Sequence, residues 1–417
     1  MTAKKVCSYQ DVLDYLNMTR DNNKLQLSRP VLDHTHPTVI EMDLILYALL
    51  AVIEKTQTFI PFVWVSMMWQ NEFISWDPEQ FCGITHVSVP KDLLWRPDLF
   101  IYEMVQKDDS PQNSFMYLSH NGIISSEEDV RVISTCKMDV YKFPFDTQKC
   151  NITIGSAIHS ANEIRMIPFS NSSRATQFSQ EIIRTQGEWE FIHLSVVPLN
   201  FSYQKRQWEQ LIYTFTIKRR PFLHVINFLL PILFFLSLDL ASFFISDCRG
   251  EKLGFKVTVL LAISVLLLIL NDILPCMSNN TPLIATYCIV IFALMLLSLL
   301  ETILVTYLIE RDSTTKKKLQ QQIDYEEQEH SDDSYSAAGL LVFVQGNSSS
   351  QCRESQVLLL ILDELKGLQK TQKLHLSPRE EVVRPILLAR RINRCFFTFY
   401  VITVSLFLSL IFCAWML

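Results

Sequence analysis

Residues 136–150 read Cys136-Lys-Met-Asp-Val-Tyr-Lys-Phe143-Pro144-Phe145-Asp146-Thr-Gln-Lys-Cys150. Thirteen residues separate the two cysteines, and an aromatic-Pro-aromatic-Asp motif sits near their centre. A bridge across that spacing would close a small loop. About seventy residues downstream the composition turns strongly apolar. Apolar runs at 221–246, 253–274 and 282–309 follow in close succession, and a fourth, 395–417, closes the chain. Each exceeds the roughly 20 residues that cross a bilayer as one helix. A soluble domain would have to bury four such helices completely. The sequence therefore predicts an outer domain followed by four membrane spans.

Four cysteines precede the first span: Cys7, Cys82, Cys136 and Cys150. Four allow three pairings. Sequons cluster in the same region, at Asn17-Met-Thr, Asn151-Ile-Thr, Asn171-Ser-Ser and Asn200-Phe-Ser. Together they point to an oxidising, extracellular compartment, with these four asparagines as candidate glycosylation sites. Asn279 and Asn347 fall in a short interhelical loop and a cytosolic segment, and are expected to be bare. The basic start Met1-Thr-Ala-Lys-Lys is followed by no apolar segment, so the expectation is a processed chain. The turn at 247–252 carries Arg249 and Lys252, whereas the turn at 275–281 carries no charge. The third loop holds Lys316, Lys317 and Lys318, then Arg384, Arg390, Arg391 and Arg394. The positive-inside bias places the first and third loops in the cytosol and both termini outside a plasma membrane, a postsynaptic one being a compatible setting.

Residues 1–218 predict a short amphipathic helix at 8–19 and many short strands: 38–54, 58–70, 84–89, 114–119, 130–141, 150–154, 188–197 and 208–218. Turn residues such as Asp77-Pro78 and Asn121-Gly122 punctuate them, which is the pattern of an antiparallel β-sandwich. The spans follow as 221–246, 251–274, 282–309 and 395–417, a four-helix transmembrane bundle. Residues 310–350 are polar and read as disordered. A cytosolic amphipathic helix is expected over about 353–394, with Leu358, Leu362 and Leu365 on one side and Pro378 and Pro385 interrupting it. Its Arg390, Arg391 and Arg394 either pack among copies of that helix or face the exit path of an ion.

The second span carries the most chemistry. Glu251, Gly254, Thr258, Leu261, Val265, Leu268 and Asp272 advance in alternating steps of three and four residues. At 100° per residue they form one narrow stripe, acidic at both ends and apolar in the middle. Lys256 falls almost opposite. From Glu251 to Asp272 is roughly 32 Å of helix, close to the bilayer core of about 30 Å. Several copies around an axis would make acidic rings that concentrate cations, with Leu261 and Val265 as a constriction that gates by dewetting. A lone helix with snorkelling terminal charges is the plainer alternative. Asp239 and Glu301, deep in the first and third runs, are expected to face protein or water rather than lipid, in structural roles.

Three motifs carry a family resemblance: the Cys136–Cys150 spacing with Phe143-Pro-Phe-Asp146, Trp95-Arg-Pro-Asp98, and Gly250-Glu-Lys-Leu-Gly-Phe-Lys-Val-Thr258. The chain resembles the Cys-loop pentameric ligand-gated ion channels over almost its whole length, the segment 312–352 excepted. Lys218-Arg-Arg-Pro221, Ala262-Ile-Ser-Val265 and Asn271-Asp-Ile-Leu-Pro275 are similar to the type 3 serotonin receptor branch. The resemblance implies five subunits around a central pore, a homopentamer or, alternatively, a heteropentamer, in contact with membrane lipid. It also implies a small-molecule agonist between neighbouring outer domains, and Na+, K+ and, as an open case, Ca2+ as permeant ions. It implies no enzyme activity, cofactor, resident metal or nucleic-acid partner. Residues 1–218 hold 25 Asp/Glu against 19 Lys/Arg, which suits a cation-enriching vestibule.

By the same resemblance the agonist cage takes Trp64 on the complementary face, Trp189 as another cage tryptophan, Tyr102 and Glu103 in the first principal loop, Ala157 in the second, and Trp208 where a loop-C tyrosine is usual. The chain departs from the pattern twice. Ala157 stands where the central tryptophan of the second principal loop is usual, and Ser66 where an arginine is usual. A cation–π face is thus missing, which favours another amine, a Zn2+-gated channel or an accessory subunit over serotonin itself. Trp69, Trp76 and Trp95 read as core. His34, His36, His120, His159 and His193 show no tight ligand spacing. Coupling is assigned to Phe143, Pro144, Phe145 and Asp146, with Glu54, Lys55, Arg219 and Pro275. Cys7 and Cys82 stand open between a second disulfide and two buried thiols.

Overall fold

A computed structural model describes residues 6–19, 23–106, 113–245, 251–273, 281–340 and 391–416. The chain divides into two units, Met1–Phe228 with Leu268–Thr286, and Leu229–Leu267 with Tyr287–Leu417.

The first unit is built on two sheets. The larger runs β10 (Ile164–Pro168), β1 (Thr38–Ile53), β2 (Thr58–Gln70), β7 (Ile123–Arg131), β6 (Phe115–Ser119), β3 (His86–Pro90), with β8 (Ile133–Thr135) on β2 and β5 (Met104–Gln106) on β8. The smaller runs β11 (Trp189–Tyr203), β12 (Arg206–Arg219), β9 (Thr147–Ser156), β4 (Leu99–Ile101). On β2, Phe59, Val63, Val65 and Trp69 point inward in the two-residue period of a half-buried strand. Trp69, Trp76 and Trp95 are buried, as their core reading expected. The sandwich is not wholly antiparallel: β1 pairs with β10 in parallel, Thr38 beside Ile164. The expected strand at 130–141 stops at Thr135, because the chain turns there into the cysteine-closed loop.

Two helices show how local polar chemistry finishes this unit. Ser8 caps α1 (Tyr9–Tyr15) through a reciprocal box with Asp11. Helix α2 spans Asn23–Leu27, and α3 spans Ser172–Ile182, capped by Asn171. Irregularities in β1 between Leu46 and Ala48, and between Leu49 and Ala51, remove ladder partners. Helix α3 and its tail replace them: Leu46 N–H donates to Ser179 Oγ at 3.1 Å, and Leu49 N–H to the Thr185 carbonyl at 2.8 Å.

Four helices are long and apolar enough to cross a membrane: α4 (Phe222–Ser242), α5 (Glu251–Ile273), the first part of α6 (Leu283–Arg311) and α7 (Arg391–Met416). Helix α4 carries a π turn at Val225–Leu229, just before Pro231, whose ring and missing N–H disturb a regular ladder. Helix α6 continues to Leu340. This corrects the reading of 310–340 as disordered. Once a span has nucleated a helix, each added residue costs little, and no Pro or Gly interrupts 283–338. The expected helix at 353–394 lies outside the described residues up to Arg390, as does Pro275.

Inside the second unit, one buried network ties the four helices. Asp239 of α4 accepts from Tyr400 Oη of α7 at 2.7 Å and from Ser298 Oγ of α6 at 3.1 Å. Lys256 Nζ of α5 donates to the Ser298 carbonyl at 3.1 Å and lies 3.7 Å from Asp239 Oδ1. Asp239 and Glu301 are both buried in protein.

Candidate functional site

Asp98 organises one edge of the sandwich. It sits in the turn before β4, and its carboxylate accepts from Ser156 Oγ at 2.8 Å and from the N–H groups of Ala157 and Ile158 at 3.1 and 2.8 Å. His159 Nδ1 lies 2.7 Å away. Burial opposes the carboxylate charge, but the bonds from His159, Ser156 and Ile158 outweigh it and hold Asp98 below the usual aspartate range. Tyr102 and Glu103 connect β4 to β5. The Glu103 carboxylate accepts from Thr153 N–H and Oγ1, both at 2.6 Å. The Tyr102 ring lies tilted against Phe100, centroids 4.3 Å apart, and the residue is 44% exposed. A Cβ at Gly155 would come within 2.9 Å of the Tyr102 ring, so only glycine permits this close approach. Ala157 is exposed and offers no ring. Trp208 pairs with Phe201 near the tip of the β11–β12 hairpin, and its buried indole N–H has no partner among the described residues.

Trp64 is partly buried on β2, between Ile45 of β1 and Asp129 of β7. Ser66, two residues on, lies between Asp43 and Glu127. The two sequence departures therefore fall on an exposed loop and on a face flanked by acids.

Trp189 is a correction. It opens β11 opposite Arg219, eleven residues along β12 from Trp208. At about 3.4 Å per strand residue that is roughly 37 Å, too far to share a cage with Trp208. Its indole instead lies 4.1 Å from the Arg219 guanidinium, which faces Phe143 at 4.7 Å. Arg219 bonds Asp146 through Nε at 2.8 Å and Nη2 at 3.2 Å, meets Glu54 at 2.5 Å, and lies 3.9 Å from Glu188. Burial works against its charge, yet Asp146 and Glu54 outweigh that and raise its pKa above the ordinary arginine value. His224 packs edge-on against Phe143 at 5.0 Å and lies 3.9 Å from Glu188. The Phe143–Pro144 peptide is cis, and Phe145 is exposed. Nearby, Leu283 N–H donates to the Tyr141 carbonyl at 2.9 Å, and Lys55 pairs with Asp272.

On α5 the seven stripe residues Glu251, Gly254, Thr258, Leu261, Val265, Leu268 and Asp272 are all exposed. Leu261, Val265 and Leu268 stand 65%, 53% and 75% open. Lys252, Lys256, Val259, Ile263 and Leu270 are buried on the other side. A helix that buries two lysines while exposing three large aliphatics is not arranged for a lone soluble bundle.

Residues 16–221 match the family model of the neurotransmitter-gated ion-channel ligand binding domain, and residues 228–334 that of the corresponding transmembrane region. The chain belongs to the Cys-loop family of neurotransmitter-gated ion channels. It is 35% identical over 285 residues to 5-hydroxytryptamine receptor 3A of Cavia porcellus, covering 68% of this chain and 58% of that one. It is 36% identical over 286 residues to the human 5-hydroxytryptamine receptor 3E, covering 69% and 62%. To the human neuronal acetylcholine receptor subunit alpha-9 it is 30% identical over 280 residues, covering 66% and 57%. The matched part thus spans about 60% of the length of these relatives.

The one disulfide that a Cys-loop channel implies, Cys136–Cys150, is in place. Cys7 bonds Cys82, which closes the question left open for that pair. Asn17, Asn151, Asn171 and Asn200 are exposed. Asn171 caps α3 through Oδ1, so its Nδ2 stays available to a glycan. Two participants, His224 and Glu188, carry no motif and escaped the reading of the sequence. Lys55 and Asp272 were each singled out there, but their pairing spans 217 positions, beyond the reach of any local signal.

Proposed function

We propose that this chain is a subunit of a pentameric, cation-selective channel opened by a small extracellular agonist held between neighbouring outer domains. The stripe on α5 carries the reading. Its acidic ends, its apolar middle and the burial of Lys256 behind it suit a pore wall that attracts cations and closes by dewetting. Na+ and K+ are the expected permeant ions, with Ca2+ decided by the same rings. The plasma membrane and extracellular termini follow from the charge bias of the loops. Recording from cells that express the chain tests this, with serotonin, other amines, amino acids, protons and Zn2+ applied in turn. Glu251→Lys is expected to abolish cation preference and shift the reversal potential under a salt gradient. An unchanged reversal potential would remove Glu251 from the pore.

The names of the relatives make an amine the first agonist class to try. Trp64, Tyr102, Glu103 and Trp208 are the residues expected to meet it, Trp64 from the adjoining subunit. A second reading rests on Ala157: an accessory subunit that needs a partner's principal face. Currents from this chain alone favour the homopentamer. Surface protein that conducts only when co-expressed with a relative favours the heteropentamer.

A further inference from the structure

The outer face of the large sheet sets residues of β1, β2 and β7 directly opposite one another. Ile45, Trp64 and Asp129 form one row, Asp43, Ser66 and Glu127 the next, and Glu41, Met68 and Ser125 the third. Four acids thus fall within three rows. Among the described residues no Lys, Arg or His comes within ion-pair distance of any of them. The one basic residue of β7, Arg131, lies beyond Trp64, opposite Phe62 and away from Ser66.

Asp43 shows that this charge is unmatched inside the fold as well. It is 8% exposed, and its Oδ2 accepts from Ser170 Oγ at 2.6 Å. Its Oδ1 is enclosed without a partner among the described residues. A buried carboxylate with an unmatched oxygen is costly, and a cation set beside it lowers that cost. Residues opposite each other in a sheet hold their Cβ atoms about 5 Å apart, so Asp43 and Glu127 flank the space over Ser66 from either side. Ser66 is too short to fill that space, and its hydroxyl can accept from an ammonium. Two residues along β2, and so roughly 7 Å away, the partly buried Trp64 offers its ring to a first cation.

We propose that the ligand of this face is a dication, an aliphatic diamine. Its first ammonium meets Trp64 and Asp129, and its second sits over Ser66 between Asp43 and Glu127. This rests on the reading of an agonist held against Trp64 and specifies that agonist's charge. A single amine leaves Asp43 and Glu127 unmatched, and a zwitterion presents them with a like charge.

The test uses the full chain in lipid nanodiscs with 5-fluorotryptophan, the Trp64 19F resonance being identified by its loss in Trp64→Phe. The probes are 1,5-diaminopentane, pentylamine and 5-aminopentanoate. The diamine is expected to shift the Trp64 resonance saturably, at concentrations about tenfold below pentylamine, with 5-aminopentanoate the weakest of the three. Glu127→Gln, at an exposed position, is expected to cut the diamine's advantage over pentylamine by about threefold or more. Ser66→Arg sets a cation between the acids and is expected to reverse the order, so that 5-aminopentanoate binds more tightly than the diamine. Misfolding cannot mimic that gain. The dication is ruled out if no probe moves the Trp64 resonance, if pentylamine matches the diamine, if Ser66→Arg leaves the order unchanged, or if Ca2+ alone reproduces the diamine's shift. Diamine binding without current would remove the gating reading and keep this one. Equal currents from pentylamine and the diamine would do the reverse.

Discussion

Arg219 in the first unit faces three carboxylates, those of Asp146, Glu54 and Glu188, whereas Lys256 in the second pairs with one, that of Asp239. Both cations also lie over aromatic rings: Arg219 over Phe143 and Trp189, Lys256 over Phe243 at 4.2 Å. They differ in how the partners are held. Glu188 is half exposed and, with Glu54, borders a cavity of about 430 Å³. Asp239, Lys256, Ser298 and Tyr400 come from four helices and are enclosed. A cluster with a surplus acid and adjacent space can exchange partners at small cost. A closed network cannot, because each step strands a charge in apolar surroundings. The first arrangement suits a joint, the second a brace.

The largest effect is expected in the brace. Asp239→Ala or Lys256→Met alone leaves a buried unpaired charge and should cost about 3–5 kcal/mol, read as lost surface protein and a lower unfolding temperature. The double variant should recover much of that loss. Additive losses would break the contrast. In the joint, the partners should rank unequally. Asp146→Asn removes the charge and one of the two acceptor oxygens facing a buried guanidinium and should cost about 2–3 kcal/mol, while Glu188→Gln, half exposed, should cost under about 1 kcal/mol. Equal costs would make the joint a second brace.

Acid sharpens the comparison further. The lowered pKa of Asp98 gives the first unit stability that is fully present above the unfolded aspartate value of about 3.9. That stability is lost as pH falls through the lower folded value. Tryptophan fluorescence on acid titration should show Asp98→Asn lacking this phase. The smallest effect belongs to Lys55 and Asp272, which are solvent-exposed. Reversing both charges should shift the agonist concentration for half-maximal current by less than about threefold, and high salt should erase the shift.

The spans, the stripe on α5 and the cysteine spacing were legible because each is a local pattern. Length, a 3.6-residue period and one short motif carry them. Burial of Trp69, Trp76 and Trp95 followed equally from ordinary hydrophobicity. Trp189 was misplaced because only the β11–β12 register sets it opposite Arg219 rather than near Trp208. Helix α3 was missed because its eleven residues are mostly polar and hold few large apolar groups. Its role appears only once the irregular β1 exposes N–H groups for Ser179 and Thr185 to answer. The continuation of α6 past 310 reversed a compositional reading, since polar residues prolong a helix that an apolar span has started.

By itself, the sequence determined that this chain crosses a membrane four times and presents one helix face acidic at both ends. Those outcomes depend on neighbours within a few turns. Tertiary structure alone decided that Arg219 gathers acids from 54, 146 and 188, that Asp98 binds the residues around Ala157, and that Ser66 lies between Asp43 and Glu127. Each of these joins positions dozens of residues apart. Electrostatic pairing and packing act through space, and only the folded backbone brings such positions within their reach.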